Sequence, residues 1–218
     1  GRLVDVYFYQ LGLKIGLSRM IAGGVSLDMR AKTGIDLPDE NRALFPYAVD
    51  YYNKTYGARG WSSAVTLNLA IGQGENAQTV VNMAKFYTAL ATDGKAATPE
   101  IVKQAPVRTR IFRLDQQQMD GLRTALAGVI GEGTAQSARI QGIMLAGKTG
   151  TAQTGKRVNG VELNHAWFVG FAPADKPTIV VAVMLEFGGH GGRAAHVASS
   201  IISHYLKGAP VTAVQVEG

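Results

Sequence analysis

The stretch Gly142-Ile143-Met144-Leu145-Ala146-Gly147-Lys148-Thr149-Gly150-Thr151-Ala152-Gln153 decides how this chain is read. Its first half is a short apolar run bounded by glycines, the pattern of a buried strand. Its second half turns polar, so Lys148 to Thr151 is expected on the exposed continuation of that strand. An ammonium there sets a positive potential, and two hydroxyls can hydrogen-bond a carboxylate. A glycine removes the side chain where a ligand backbone would approach. An extended peptide could also pair with the strand's own N–H and C=O groups. Strand alternation predicts Thr149 and Thr151 on one side and Lys148 on the other. The triplet alone carries little weight, because Lys32-Thr33-Gly34 repeats it. That copy has no strand before it and leads into Ile35-Asp36-Leu37-Pro38, so it reads as a loop.

Outward from the motif, Ala166 to Phe171 and Thr178 to Phe187 are further apolar runs separated by turn residues. Their short connections, with no helix between, predict antiparallel strands. A helix from about Arg193 to Leu206 follows, with Val197, Ile201 and Tyr205 expected to pack on the sheet. Upstream, Asp115 and Gln118 form a capping box for a helix whose Met119, Leu122, Leu126 and Val129 share a face. The stripe Val80, Val81, Ala84, Tyr87, Leu90, Ala91 predicts another helix, drawn from Glu75 to Thr92. Val4 to Ile21 reads as a helix-rich entry stopped by Gly23-Gly24, and residues 33–61 as a long ordered loop or a short-helix region. The fold class is therefore α+β, an antiparallel sheet with helices packed on it. The expected domain is 1–210, with 211–218 a loose tail.

With 218 residues and 46% apolar content the chain can fill a real core. The net charge of +6 is dispersed, without the basic run or aromatic interleaving of a nucleic-acid surface. The absence of cysteine excludes disulfides and thiol catalysis. His165, His190, His196 and His204 lack carboxylates at metal-ligand spacing and read as structural or surface residues. The glycine-rich run 188–192 lacks the lysine-serine ending of a phosphate loop and reads as a turn past a cleft rim.

Several segments carry a resemblance that spans nearly the whole chain: Asp5-Val6-Tyr7-Phe8-Tyr9-Gln10-Leu11-Gly12, Thr33 to Pro38, Asn68-Leu69-Ala70-Ile71-Gly72-Gln73-Gly74, the Lys148 motif, and Ala166 to Pro173. With them the chain resembles the transpeptidase domain of class B penicillin-binding proteins of the elongation or rod-shape type. The resemblance implies a serine β-lactamase/transpeptidase-like fold and acyl transfer through a serine acyl-enzyme, without cofactor or metal. It implies Lys148 and Thr151 as catalytic, and Thr149, Gly150, Thr151 and Asp5 as substrate-binding. Peptidoglycan stem peptides, β-lactams and a membrane glycosyltransferase of the shape, elongation, division and sporulation class are the implied partners. The implied site of action is the extracytoplasmic face of the bacterial membrane, anchored by an N-terminal helix outside this chain.

The sequence departs from that family in two places. No serine here is followed three residues later by lysine, so the nucleophile is expected upstream of Asp5, together with N-terminal strands and the nucleophile helix. In the second motif only Asp5 matches, with Leu3 in place of serine; Ser26-Leu27-Asp28 reads as a chance copy. A penicillin-binding sensor or inactive scaffold, or a serine β-lactamase, stays open as an alternative.

Overall fold

The computed structural model describes residues 2–208, with side chains from Asp5 onward; the tail expected at 211–218 lies outside the described residues. Packing divides the chain into two compact units, Gly1–Asn82 with Thr98–Ala105, and Met83–Ala97 with Pro106–Gly218.

In the first unit the helices are α1 (Arg2–Ile15), α2 (Leu17–Ser26), α3 (Asp50–Tyr56) and α4 (Ala64–Ala70). Ile21, Phe45, Tyr52 and Leu69 form its core. The entry segment is helical as expected, but its break falls at Gly16 (φ 84) and α2 runs on through Gly23 and Gly24. Gly24 serves packing instead: a Cβ there would lie 2.2 Å from the Phe45 ring. The Lys32 copy of the triplet is a loop. Its Thr33 and Gly34 N–H groups donate to the Glu40 carboxylate at 2.6 and 3.1 Å, so an internal anion already fills it. Asp36 likewise accepts the N–H groups of Ile101 and Val102 at 2.6 and 2.9 Å. Those bonds hold its carboxyl below the usual range.

The helix α5 (Val80–Ala91) starts five residues later than the stripe predicted. Ala77 exchanges backbone hydrogen bonds with Leu44 at 2.8 and 3.0 Å, and Thr79 Oγ1 accepts the Asn82 N–H at 3.1 Å. The extended bridge and the threonine cap together place the helix start at Val80.

In the second unit, β1 (Lys95–Ala97) pairs with β2 (Arg108–Arg110), and α6 (Gln116–Gly131) follows. Both bonds of the expected capping box are present: Gln118 N–H to Asp115 Oδ1 at 2.8 Å, and Asp115 N–H to Gln118 Oε1 at 3.1 Å. Met119 is buried, but Leu122 lies on the outer side of α6 and stays exposed. The main sheet has the order β3 (Ala146–Ala152), β6 (His165–Ala172), β7 (Ile179–Leu185), all antiparallel, as expected. Between β3 and β6 a small hairpin, β4 (Arg157–Val158) and β5 (Val161–Glu162), turns at Asn159-Gly160. The strand β3 begins at Ala146, four residues after the apolar run starts, because 142–145 first makes an isolated Ile140–Ile143 bridge.

Strand alternation explains why the sheet is buried on both faces. On β6, Ala166, Phe168 and Ala172 face one core with Val181, Val183 and the helix α7 (Gly191–Lys207). Val169 and Phe171 face the other, against Tyr87, Leu90 and Ala91 of α5. The α7 contact differs from the expected one. Its buried face is Ala194, Ala195, Ala198, Ser199 and Ile202, whereas Ile201 and Tyr205 are exposed and Val197 borders the core. Small alanines let the helix axis approach the sheet more closely than the larger side chains would.

Candidate functional site

The strand β3 holds the predicted motif. It is hydrogen-bonded to β6 on one side, and among the described residues no strand pairs with its other edge. Its first residues are buried and its last are accessible, so the strand emerges from the core at Lys148. The register places Lys148 opposite Val169 and Gly150 opposite Trp167, on the α5 side of the sheet. Thr149 lies opposite Phe168, and Thr151 opposite Ala166, on the α7 side. The expected division of lysine and threonines between the two faces is therefore what the chain adopts.

Lys148 bends back over the strand edge, and its Nζ donates to the Thr149 carbonyl at 2.8 Å. The side chain keeps contact with solvent, yet partial desolvation of the ammonium holds its pKa below that of an ordinary lysine. The field at the end of β3 is positive and close to hydrogen-bonding hydroxyls, a combination suited to an anion on an extended ligand.

Two supports of Thr149 were not legible in the sequence. The first is Thr134, whose Oγ1 lies 2.9 Å from Thr149 Oγ1. It comes from the loop after α6, and nothing in Gly133-Thr134-Ala135 distinguishes it from a polar turn. The second is Gly191, at the start of α7. A Cβ on Gly191 would lie 2.8 Å from both Thr149 Cβ and the Gly150 carbonyl oxygen, and 2.9 Å from the Trp167 oxygen. The glycine-rich run 188–192 thus does more than turn the chain: it lets the helix start sit directly on the motif strand. A glycine with no Cβ clearance could be inferred only from coordinates.

The remaining predicted residue, Asp5, belongs to the first unit, in the first turn of α1, and is partly buried. The structure therefore brings Lys148, Thr149, Gly150 and Thr151 together on one strand, while Asp5 is carried by a separate unit. Ser26, in the chance copy of the second motif, spends its hydroxyl on the Gly23 carbonyl of its own helix at 2.7 Å. Among the histidines, His165 Nδ1 accepts the Phe187 N–H at 3.1 Å, a structural use. No helix among the described residues is long and apolar enough to cross a membrane.

Known proteins share the sequence and fold of this chain. The chain is 34% identical over 223 residues to the peptidoglycan D,D-transpeptidase MrdA of Acinetobacter baumannii, covering 93% of this chain and 33% of that protein. It thus spans about a third of the length of that curated relative. Among solved structures it is similar to the penicillin-binding protein PBP2 of Helicobacter pylori in complex with MreC. That match has a TM-score of 0.79 and 30% identity, over 94% of this chain and 39% of that one. PBP2 of Pseudomonas aeruginosa in complex with WCK 5153 matches with a TM-score of 0.75 and 30% identity, over 98% of this chain and 48% of that one. Residues 4–205 match the family described as the penicillin binding protein transpeptidase domain, and the chain belongs to that family.

Proposed function

We propose that these residues form the Lys-Thr-Gly wall of a serine-type peptidoglycan D,D-transpeptidase whose nucleophile is supplied by residues outside the 218. The observation that carries this reading is the open edge of β3, with Lys148 beside it and Thr149 and Thr151 on one face. A stem peptide ending in D-alanyl-D-alanine would lie along that edge as an added strand. Its terminal carboxylate would accept from the Thr149 and Thr151 hydroxyls in the field of Lys148.

The serine oxygen would attack the penultimate carbonyl carbon, with the developing oxyanion held in part by the Thr151 N–H. The carbonyl–nitrogen bond then breaks, D-alanine leaves with a proton on its amine, and an acyl ester remains on the serine. The amine of a neighbouring stem peptide attacks that ester, loses its proton and frees the serine hydroxyl. Lys148 would hold the charge that orients the second-motif hydroxyl, and Asp5 would belong to that motif by its place in the sequence. The same wall would accept the carboxylate of a β-lactam, and its ring carbonyl would acylate the serine. The site of action is the extracytoplasmic face of the bacterial membrane, by way of an N-terminal anchor outside these residues. The partner is a membrane glycosyltransferase of the shape, elongation, division and sporulation class.

The test is acylation by a fluorescent penicillin, read on denaturing gels and by mass spectrometry. The complete protein should carry one stable adduct, and the 218-residue chain none. An adduct on the 218-residue chain, or none on the complete protein, overturns the reading. Rapid hydrolysis of the penicillin by the complete protein would place it with the β-lactamases instead.

A further inference from the structure

The Thr134–Thr149 hydroxyl contact lies outside the motif, and its geometry defines a role. Thr134 is held from below: its neighbour Ala135 is fully buried, and the Ala135 N–H donates to the Val129 carbonyl at 3.2 Å. The loop is therefore anchored to the end of α6 and to the core under the sheet. From that anchored position the Thr134 hydroxyl meets the Thr149 hydroxyl at 2.9 Å, where β3 has left the core. A threonine side chain in an extended strand has more than one accessible χ1 well, and each well aims Oγ1 differently. A partner fixed independently of the strand selects one of them. When Thr134 donates, the Thr149 proton is left to point outward, and a hydroxyl that accepts one bond donates a second more strongly.

We propose that Thr134 is a positioning residue for carboxylate recognition, fixing the Thr149 hydroxyl toward the terminal carboxylate of a peptide or β-lactam laid along β3. This rests on the transpeptidase reading above. Thr134 makes no contact with substrate and acts only through Thr149.

The test uses the complete protein and two forms of one labelled penicillin, the free carboxylate and its methyl ester. Thr134→Val keeps the shape and removes the donor. It should lower the second-order acylation rate for the free acid about 3- to 10-fold, the range of one lost hydrogen bond. The rate for the ester should change less than about 2-fold, so the acid-to-ester ratio falls. Thr134→Ser, which restores the hydroxyl, should return the ratio to within about 2-fold of the parent. Equal slowing of acid and ester by Thr134→Val would mean a merely structural role, and no slowing of either would mean no role; each overturns the proposal. So does failure of Thr134→Ser to restore the ratio. If the unmodified complete protein is not acylated at all, the transpeptidase reading fails and this one falls with it. Acylation of the parent with an unchanged ratio in Thr134→Val removes this proposal alone.

Discussion

Adding one methyl group at Gly191 should damage the site from behind. The Cβ of Gly191→Ala would stand 2.8 Å from Thr149 Cβ and from the Gly150 oxygen, and 2.9 Å from the Trp167 oxygen. Carbon atoms in contact sit at about 3.5–4.0 Å, so the Thr149 gap must open by about 0.7 to 1.2 Å. None of the three neighbours can swing aside, since two are backbone oxygens in the β3–β6 ladder and the third is the first carbon of a side chain. Either α7 lifts or β3 bows outward. Overpacking of this kind costs about 1–3 kcal/mol. The helix preference of alanine over glycine returns at most about 1 kcal/mol, and less in the first turn. A net loss of about 1–2 kcal/mol corresponds to a fall in Tm of about 2 to 8 °C for a domain of this size. The neighbouring residue supplies the control. A Cβ on Gly192 would meet only Ser137 Oγ, at an ordinary 3.7 Å, so Gly192→Ala should be neutral or slightly stabilising. Thermal unfolding of the two variants, followed by circular dichroism, separates them, and penicillin acylation of the complete protein should slow in Gly191→Ala alone. Equal melting temperatures for the two variants would refute the argument that α7 seats directly on the motif strand.

Three other outcomes follow from the same physics. Asp115→Ala removes the side-chain acceptor of the α6 capping box, leaving the backbone N–H at 115 to donate to Gln118, and should cost about 1 kcal/mol in denaturant unfolding, with no change in the unfolding slope. Phe168→Ala, at a fully buried ring between the sheet and α7, should cost about 3–5 kcal/mol, while Leu122→Ala on the exposed side of α6 should cost about 0.5 kcal/mol or less. Desolvation lowers the pKa of Lys148 in the folded state, so between that value and the ordinary lysine pKa the unfolded chain binds the extra proton. The Lys148 contribution to folding stability should therefore rise with pH across that alkaline window, and Lys148→Met should flatten the rise in urea melts made at successive pH values.

The parts of the fold that were legible are those with a local cause. Asp115 and Gln118 announce α6 because both partners of the cap lie within one turn. The apolar runs of β6 and β7 are legible because a strand buried on both faces has no polar alternation to obscure it. Where a distant residue decides, the sequence misleads. The helix start at Val80 depends on Leu44 pairing with Ala77, and the continuation of α2 through Gly23-Gly24 depends on the Phe45 ring needing that space. The β4–β5 hairpin was missed despite a local signal, Asn159-Gly160 between Val158 and Val161, the residue pair that favours a two-residue hairpin turn. The motif itself was legible by residue type and by alternation. Its supports were not, because a threonine in a polar turn and a glycine among glycines acquire their meaning only from what they touch.

Those supports also explain how the motif is held where β3 leaves the core. The Ala146 end of β3 is packed on both sides, Ala146 in the α5 core and Leu145 just before it in the α7 core, so both ends of the sheet's thickness fix its height. Beyond Gly147 the residues of β3 itself belong to neither core, and an unsupported strand would fray as edge strands do. At Thr149 three contacts replace the core: the β6 ladder, the Thr134 hydroxyl and the α7 start at Gly191. The ladder holds the inner edge and the other two hold the α7 face, which leaves the outer edge open. Hydroxyls meant to recognise a carboxylate need such rigidity, because a donor that must first be ordered loses in entropy much of what its hydrogen bond gains. Substitution of Thr134 or Gly191 should therefore weaken recognition without touching the ligand, whereas substitution of Lys148 should change the field the ligand meets.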